Sequence, residues 1–554
     1  MSVFIGYPSF MAYQMMKGKK DNNEGFPTIP GTIARYSALG LTNEEMSKNP
    51  VWVDKTGNGH DLQMKNFAWS GMSGVGGYKY NFLSNDWAVD GNQVSVALSH
   101  KIVITSKRTS VQLVKVIQNE LENTINITLK ITGLEANGSS FKIYDNVSSS
   151  HAQEYNKDGI YQINYTATEG ANRFYFYTPG GNMGQLENPI TIEQLPLYPG
   201  ALVFDGVDDY GTCDNFPILT KEKGYTVVAL RQWDQDFLNT TLTGGLLSTR
   251  NYSTGEGVAF EKIESSKGYW NLGAGGIIDF AKSPFTWQTS KQYNNVGILK
   301  GDKNHGKPLC VGCGLSGGQQ CGRFAIWELV FLDHDATEEE LTKIKDYFVK
   351  TYPWLFPDQA WTVVGKSNED TDRATIANIT GNGNDLVLSN FGFAEGSGYN
   401  EEGEYAGYLV TDGVDDKVES SPFTLNKDWT IVGDWKFINN NKSGTGLVKG
   451  SSFYIYNTMI GLDLYINSGS VKNSLDGIKS INAACSDGRA YDRNWNEILA
   501  NTGNVVGSGG TLEVSSSGGR FDRIAFKNLA IYPRILSKED CIKAYNCLQT
   551  LKAK

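Results

Sequence analysis

The chain has 554 residues and a formal net charge of −10; only 20% of its residues are charged, and it contains 62 glycines and 28 tyrosines. It is too long for one core. It holds no basic run, so nucleic acid and anionic membrane are poor partners, and no stretch has the apolar length of a transmembrane helix.

Abundant Gly and Tyr with few charges predict many short strands joined by tight turns. Residues 1–35 carry Met, Tyr, Gly and Pro without a sustained period and are expected to form either an arm that docks on a partner protein, the reading preferred, or a first strand with a flexible lead. Met1 to Gly6 is mildly apolar, but Lys17, Lys19 and Lys20 follow it, the wrong order for a secretory signal, so no cleaved leader is expected. Residues 36–87 open a repeat. Gly40-Leu41-Thr42-Asn43-Glu44-Glu45 returns as Gly365-Lys366-Ser367-Asn368-Glu369-Asp370. Thr56-Gly57-Asn58-Gly59-His60-Asp61-Leu62 returns as Thr380-Gly381-Asn382-Gly383-Asn384-Asp385-Leu386, and Asn66-Phe67 as Asn390-Phe391. Residues 200–352 complete the first copy. There Phe204-Asp205-Gly206-Val207-Asp208-Asp209-Tyr210 returns as Thr411-Asp412-Gly413-Val414-Asp415-Asp416-Lys417. Tyr225 to Val228 matches Trp429 to Val432, Trp233 and Trp435 are read as aligned within strands, and Gly-Arg-Phe recurs at 322–324 and 519–521. Each copy ends in a helix opened by a hydroxyl cap with an acid three residues on, Thr337 with Glu340 and Ser537 with Asp540.

Asp61 precedes Asp205 by 144 residues while Asp385 precedes Asp412 by 27, so the first copy carries about 117 extra residues, enough for a domain. Within residues 88–199, runs such as 94–98, 102–104, 111–116, 125–131, 141–144, 159–165 and 173–177 alternate with period two between Gly/Asn/Ser turns. They predict an inserted antiparallel β-sandwich. Pro353-Trp354-Leu355-Phe356-Pro357 is a stiff aromatic junction, so the two copies are expected to pack closely. Residues 358–554 are the second copy. The fold expected is all-β.

Few residues carry chemistry. Asp205, Asp208 and Asp209, with Asp412, Asp415 and Asp416, offer hard oxygens for Ca²⁺ or, the reading preferred here, form strand-to-turn connections whose side chains accept backbone N–H bonds. Cys310, Cys313 and Cys321 have zinc-like spacing, with His305 or His334 as a fourth ligand; the second copy lacks the set, so reduced thiols beside a strand are expected, as in a cytoplasm. His60, His100, His151, His305 and His334 are scattered and belong to no catalytic pattern. Trp69, Trp87, Trp233, Tyr252, Trp270 and Trp287 are candidates to stack on sugar faces, although Trp233 and Trp435 are expected in the core.

The Asp-Gly-Val-Asp-Asp strands and the strand–helix endings (322–347 and 519–545) resemble the concanavalin A-like superfamily, specifically laminin G-like domains. The resemblance implies two jelly-roll sandwiches in tandem, covering most of residues 36–352 and 358–554. Glycanases of that fold use a Glu-x-Asp-x-Glu run, which this chain lacks, so it is expected not to be an enzyme. Thr-Gly-Asn-Gly-[His/Asn]-Asp-Leu, Asn-Phe with its Gly-rich tail, and Leu202 to Tyr210 resemble structural proteins of the crAss-like bacteriophages. That likeness implies a virion protein made in the host cytoplasm, a head or tail fibre that attaches to host surface polysaccharide. Its arm would dock on other virion proteins, and it would form a homo-oligomer held by sandwich faces or the arm, since no heptad stretch exists. A cell-surface or secreted glycan-binding adhesin, and a glycan hydrolase or its accessory module, are the alternatives.

Overall fold

The computed structural model describes residues 25–553, apart from 86, 90–95, 107–110, 118–122, 180–184, 218–223, 239, 250–258, 263–266, 272–276, 280–297, 300–308, 316–318, 426, 439–444, 450–452, 458–460, 467–473, 477–480, 500–507, 511, 515, 518–519 and 522. The chain is all-β. Two jelly-roll sandwiches stand in tandem, and their sheets share one strand order. In the first, one sheet runs Gly74–Val75, Leu202–Asp205, Arg323–Leu332, Tyr225–Trp233, Ile298–Leu299, with Thr32–Ser37 also pairing the central Arg323–Leu332. In the second, the same places are taken by Gly398–Asn400, Tyr408–Val410, Ile524–Tyr532, Thr430–Phe437 and Ile481–Cys485, with Gln359–Thr362 on the central strand. The facing sheets match likewise, from Val51–Trp52 to Ile277–Asp279 and from Thr375–Ile376 to Ser474–Asp476. The central strands are buried almost along their whole length and are mostly apolar, because both of their faces are covered.

The register corrects two sequence matches. Thr226 pairs Leu332 as Thr430 pairs Tyr532, and both strands bulge near their middle, so Trp233 corresponds to Phe437 and Arg231 to Trp435. Trp233 and Trp435 are nevertheless both buried, as expected. The Gly-Arg-Phe echo is not a structural equivalence. Arg323 opens the central strand, whereas Arg520–Phe521 pairs with Ser516–Ser517.

The expected arm is too long. Residues 1–24 lie outside the described residues, but Phe26, Ile29, Ala34 and Arg35 are buried in the first sandwich, and Thr32–Ser37 is a strand of its sheet. Gly and Pro interrupt this stretch and its strand is covered on both faces, so no period betrays it.

The inserted strands make two five-stranded antiparallel sheets around their own core of Ile102, Leu113, Ile127, Leu129, Phe141, Ile163, Phe174 and Ile192, joined by Phe82 and Trp87 from ahead of residue 88. Its strand Gln185–Gln194 was not expected from the sequence. Pro189 argues against a regular strand there, and the ladder accommodates it by shifting register between Gln185 and Ile190.

One hydrophobic cluster runs from Phe26 to Leu551 through both sandwiches. Trp354, Leu355 and Phe356 of the junction are buried in it, and Tyr532 donates to the Trp354 carbonyl at 2.9 Å. The final helix, Lys538–Leu548, is seated on its neighbours. Asn546 donates to the Pro196 carbonyl and accepts from Thr128 of the insertion, each at 3.2 Å, and Gln232 of the first sandwich reaches Thr550 at 2.8 Å. The copies pack closely, as the junction sequence implied.

Candidate functional site

The two Asp-Gly-Val-Asp-Asp stretches are turns between paired sheets. In the first, Asp205 N donates to Asp209 Oδ2 at 3.0 Å, Val207 N to Asp205 Oδ1 at 2.7 Å, and Ser73 Oγ to Asp209 Oδ1 at 2.9 Å. The second repeats this with Asp412, Val414, Asp416 and Ser397 at 2.8, 2.7 and 3.0 Å. Asn66 and Asn390, both left-handed (φ 67° and 69°), donate to the carbonyls of Asp208 and Asp415. Each carboxylate trio lies within 4.8 Å, but the inner aspartate's two oxygens and Asp205 or Asp412 Oδ1 already accept hydrogen bonds. The trio is built as a tack that fastens a Gly/Ser loop to the sandwich, and it fits calcium poorly. Burial, then the neighbouring Asp205 charge, pushes the Asp209 carboxyl up to about 8; burial, with Asp412 and Asp415 adding less, pushes Asp416 to about 6.

The cysteine expectation is corrected. Cys313 and Cys321 face each other across a tight hairpin and form a disulfide, while Cys310 is buried beside them and takes no part in it. Neither linked sulfur can serve zinc. His334 is engaged by Asp333 and Glu340 at 3.2 Å each, so no zinc set is assembled among the described residues; His305 lies outside them. Among the aromatic candidates, Trp87 and Trp233 are core residues, and Trp69, half-buried, stacks on Phe67 at 4.7 Å. The side chains of Tyr252, Trp270 and Trp287 lie outside the described residues.

A cleft of about 360 Å³ opens where the first sandwich meets its insertion. One wall is the start of the short helix Asn43–Lys48, capped by Thr42, which accepts from Glu45 N at 3.2 Å. Asn43 pins that helix to the strand behind it, accepting from Val75 N at 2.7 Å and donating to Val75 O at 3.2 Å. Asn368 makes the same clamp on Tyr399 in the second copy, so the wall is shared. The opposite wall, from the insertion, exists only once. It brings His100, whose ring stacks on Tyr78 at 4.4 Å and 17°, and Lys101, whose Nζ lies 3.7 Å from Glu193. Leu41, Leu98 and Val75 line the floor. Burial, then the Glu193 and Glu44 charges, holds the Tyr78 hydroxyl well above its ordinary value, and burial lowers His100. The cleft therefore presents two stacked rings whose neutral forms are favoured, edged by Glu44, Glu193 and Lys101. Flat apolar faces edged by planar polar groups are what a sugar ring requires. Of these residues the sequence reading singled out only His100, as one of five scattered histidines; Thr42 to Glu45 stood in a repeat whose purpose it did not give.

No protein-family model matches the chain, and no curated protein sequence matches it. Solved structures do. A mutant of Trypanosoma rangeli sialidase displaying trans-sialidase activity is 8% identical with a TM-score of 0.28 over 86% of each chain. The binding domain of botulinum neurotoxin serotype D is 11% identical, with a TM-score of 0.25 over 61% of this chain and 90% of its own. Trypanosoma rangeli sialidase in complex with sialic acid is 8% identical, with a TM-score of 0.24 over 83% and 82%. Because sialidases are among these matches, the expectation that the chain is not an enzyme is corrected and withdrawn. Likenesses this remote carry neither an activity nor a site to this chain.

Proposed function

We propose that the chain is a virion structural protein of a tailed bacteriophage, a head or tail fibre that attaches to host surface glycan through the cleft between its first sandwich and the insertion. The observation that supports attachment is the stacked Tyr78–His100 pair edged by Glu44, Glu193 and Lys101. The virion half rests on the likeness of the repeat to crAss-like structural proteins. Docking on other virion proteins through residues 1–24, and assembly as a homo-oligomer, belong to the same proposal.

The test is binding of the purified chain to host capsular and surface polysaccharides, with reducing ends assayed in the same tubes. Wild type should bind, and Tyr78→Ala should weaken binding at least tenfold. Equal binding by the variant would remove the cleft from the reading, and new reducing ends would make attachment part of a cleavage reaction. A second reading, a secreted or cell-surface adhesin, is favoured by the Cys313–Cys321 disulfide, a bond that persists in oxidising compartments. Immunogold labelling separates the two: gold on virus particles supports the fibre, and gold confined to the bacterial envelope supports the adhesin.

A further inference from the structure

The cleft between the first sandwich and its insertion holds polar groups that the surrounding residues leave unanswered. Glu44 lines it from the short helix Asn43–Lys48, and among the described residues its carboxylate has neither a hydrogen bond nor an ion pair. The two other charges at the cleft do not offset it: Lys101 and Glu193, with side chains 32% and 31% exposed, pair with each other at 3.7 Å. Lys79, next in sequence to Tyr78, is turned elsewhere, its Nζ 5.6 Å from the Tyr80 ring centroid. The charge left over is one carboxylate.

The rings beside it are open in the same way. Among the described residues the Tyr78 hydroxyl has no hydrogen-bond partner, and neither has His100 Nε2, since Ser99 Oγ lies 3.5 Å from the other ring nitrogen, Nδ1. Gly76 makes room for Tyr78: at φ +85°, a Cβ there would stand 3.5 Å from the Tyr78 hydroxyl and 2.8 Å from Pro196 Cβ. Glu44 is held as firmly, because Asn43 clamps its helix to Val75 with one donated and one accepted bond. Groups fixed before a ligand arrives lose little freedom when it binds. Polar groups in a folded chain ordinarily find partners, so three without one around a stacked ring pair mark the place of a ligand that brings donors. An ammonium carries three donors and no acceptor. On a sugar it stands at the edge of a ring whose faces are apolar, and such faces pack against aromatic side chains. An acidic sugar would instead set a second negative charge against Glu44, a repulsion that costs affinity.

We propose that the cleft selects a hexosamine whose amine is free and protonated, with Glu44 accepting from the ammonium while the sugar ring lies against Tyr78 and His100. This rests on the glycan-attachment reading of the same cleft and narrows it to polymers of amino sugars over neutral and acidic ones.

The experiment compares β-linked hexamers of glucosamine, N-acetylglucosamine and glucose, which differ in one ring substituent and so isolate the ammonium. Titration of the full chain at about pH 6, where amine and carboxylate are both charged, should give the glucosamine hexamer an affinity about tenfold above the other two. That preference should fall as salt rises from about 50 to 200 mM. Glu44→Gln should abolish it. Glu45→Gln changes an exposed acid one residue along, outside the cleft, and should keep it. Equal wild-type affinity for all three hexamers, or a preference that Glu44→Gln leaves intact, would overturn the proposal. So would an equal loss in Glu45→Gln, which would trace the preference to overall charge. Tyr78→Ala in the same series keeps the two readings apart. If it weakens all three hexamers and the wild type prefers none, attachment at the cleft stands and the ammonium fails; if it weakens none, the cleft fails and the ammonium with it. A wild type that binds no hexamer overturns the amino-sugar proposal and leaves attachment to the polysaccharide test above.

Discussion

Arg35 and Glu328 make a buried ion pair that the second copy does without. Both side chains are fully buried, and Arg35 Nε and Nη2 donate to the two Glu328 oxygens at 3.1 Å each. Tyr352 also donates to Glu328 at 2.7 Å, Arg35 reaches the Tyr347 hydroxyl at 2.6 Å, and the guanidinium lies 4.5 Å from the Phe26 ring. The register places Ala360 and Asn528 at the same two positions in the second copy. Arg35→Ala should therefore strand a buried carboxylate, at a cost of about 3–5 kcal/mol, which in a unit of this size lowers Tm by about 10 °C. Converting Glu328→Asn as well reproduces the other copy's solution and should restore at least about 1.5 kcal/mol. Burial already raises the Glu328 carboxyl, and without Arg35 it rises further. Its protonated form then favours folding fully below the unfolded value near 4.5, and that contribution is lost as pH rises above it. So the Arg35→Ala penalty should shrink on acidification. Urea unfolding of wild type, both single variants and the double variant, followed by tryptophan fluorescence at pH 5 and 7, measures the cycle. Additivity within about 0.5 kcal/mol, with no pH effect, would refute the argument.

Asp209, raised from 3.8 to about 8, stabilises the fold in its protonated form below pH 4, and that contribution fades as pH climbs to about 8; for Asp416 the window closes near 6. Asp209→Asn should flatten the fall in the unfolding midpoint between pH 6 and 8, where an unchanged slope would count against the assignment. Removing residues 1–35 takes most of the sheet strand Thr32–Ser37 and Arg35 and should yield aggregate by gel filtration. Thr337→Ala breaks a reciprocal capping box with Glu340 and should cost about 1 kcal/mol in the same urea assay.

Repetition made most of the fold legible. Asn43 and Asn368, or Asp209 and Asp416, keep their places because each copy needs the same clamp and the same tack, and a single chain compared with itself exposes such needs. Where the copies differ, the sequence located the insertion but not the contacts it makes. Arg35 finds Glu328 only 293 residues later and has no counterpart to betray it. Tyr78, His100 and Glu193 meet because the insertion folds back on the first sandwich, and with no insertion in the second copy there was nothing to compare. The edge strand Thr32–Ser37 stood only as the second of two readings, because burial on both faces erases the alternation that marks strands.

The seating of Lys538–Leu548 against the insertion and the first sandwich has a consequence for synthesis. The chain emerges from its first residue, so both earlier modules are made while the surfaces that receive this helix are still bare. They are covered only when the last residues arrive. A chain cut short by a nonsense codon would keep two nearly finished sandwiches and an uncovered apolar face, the feature by which chaperones and proteases recognise unfinished work. The helix Lys538–Leu548 thus acts as a proof that synthesis has passed it, and an assembly that admits only clasped subunits would count only those that carry it.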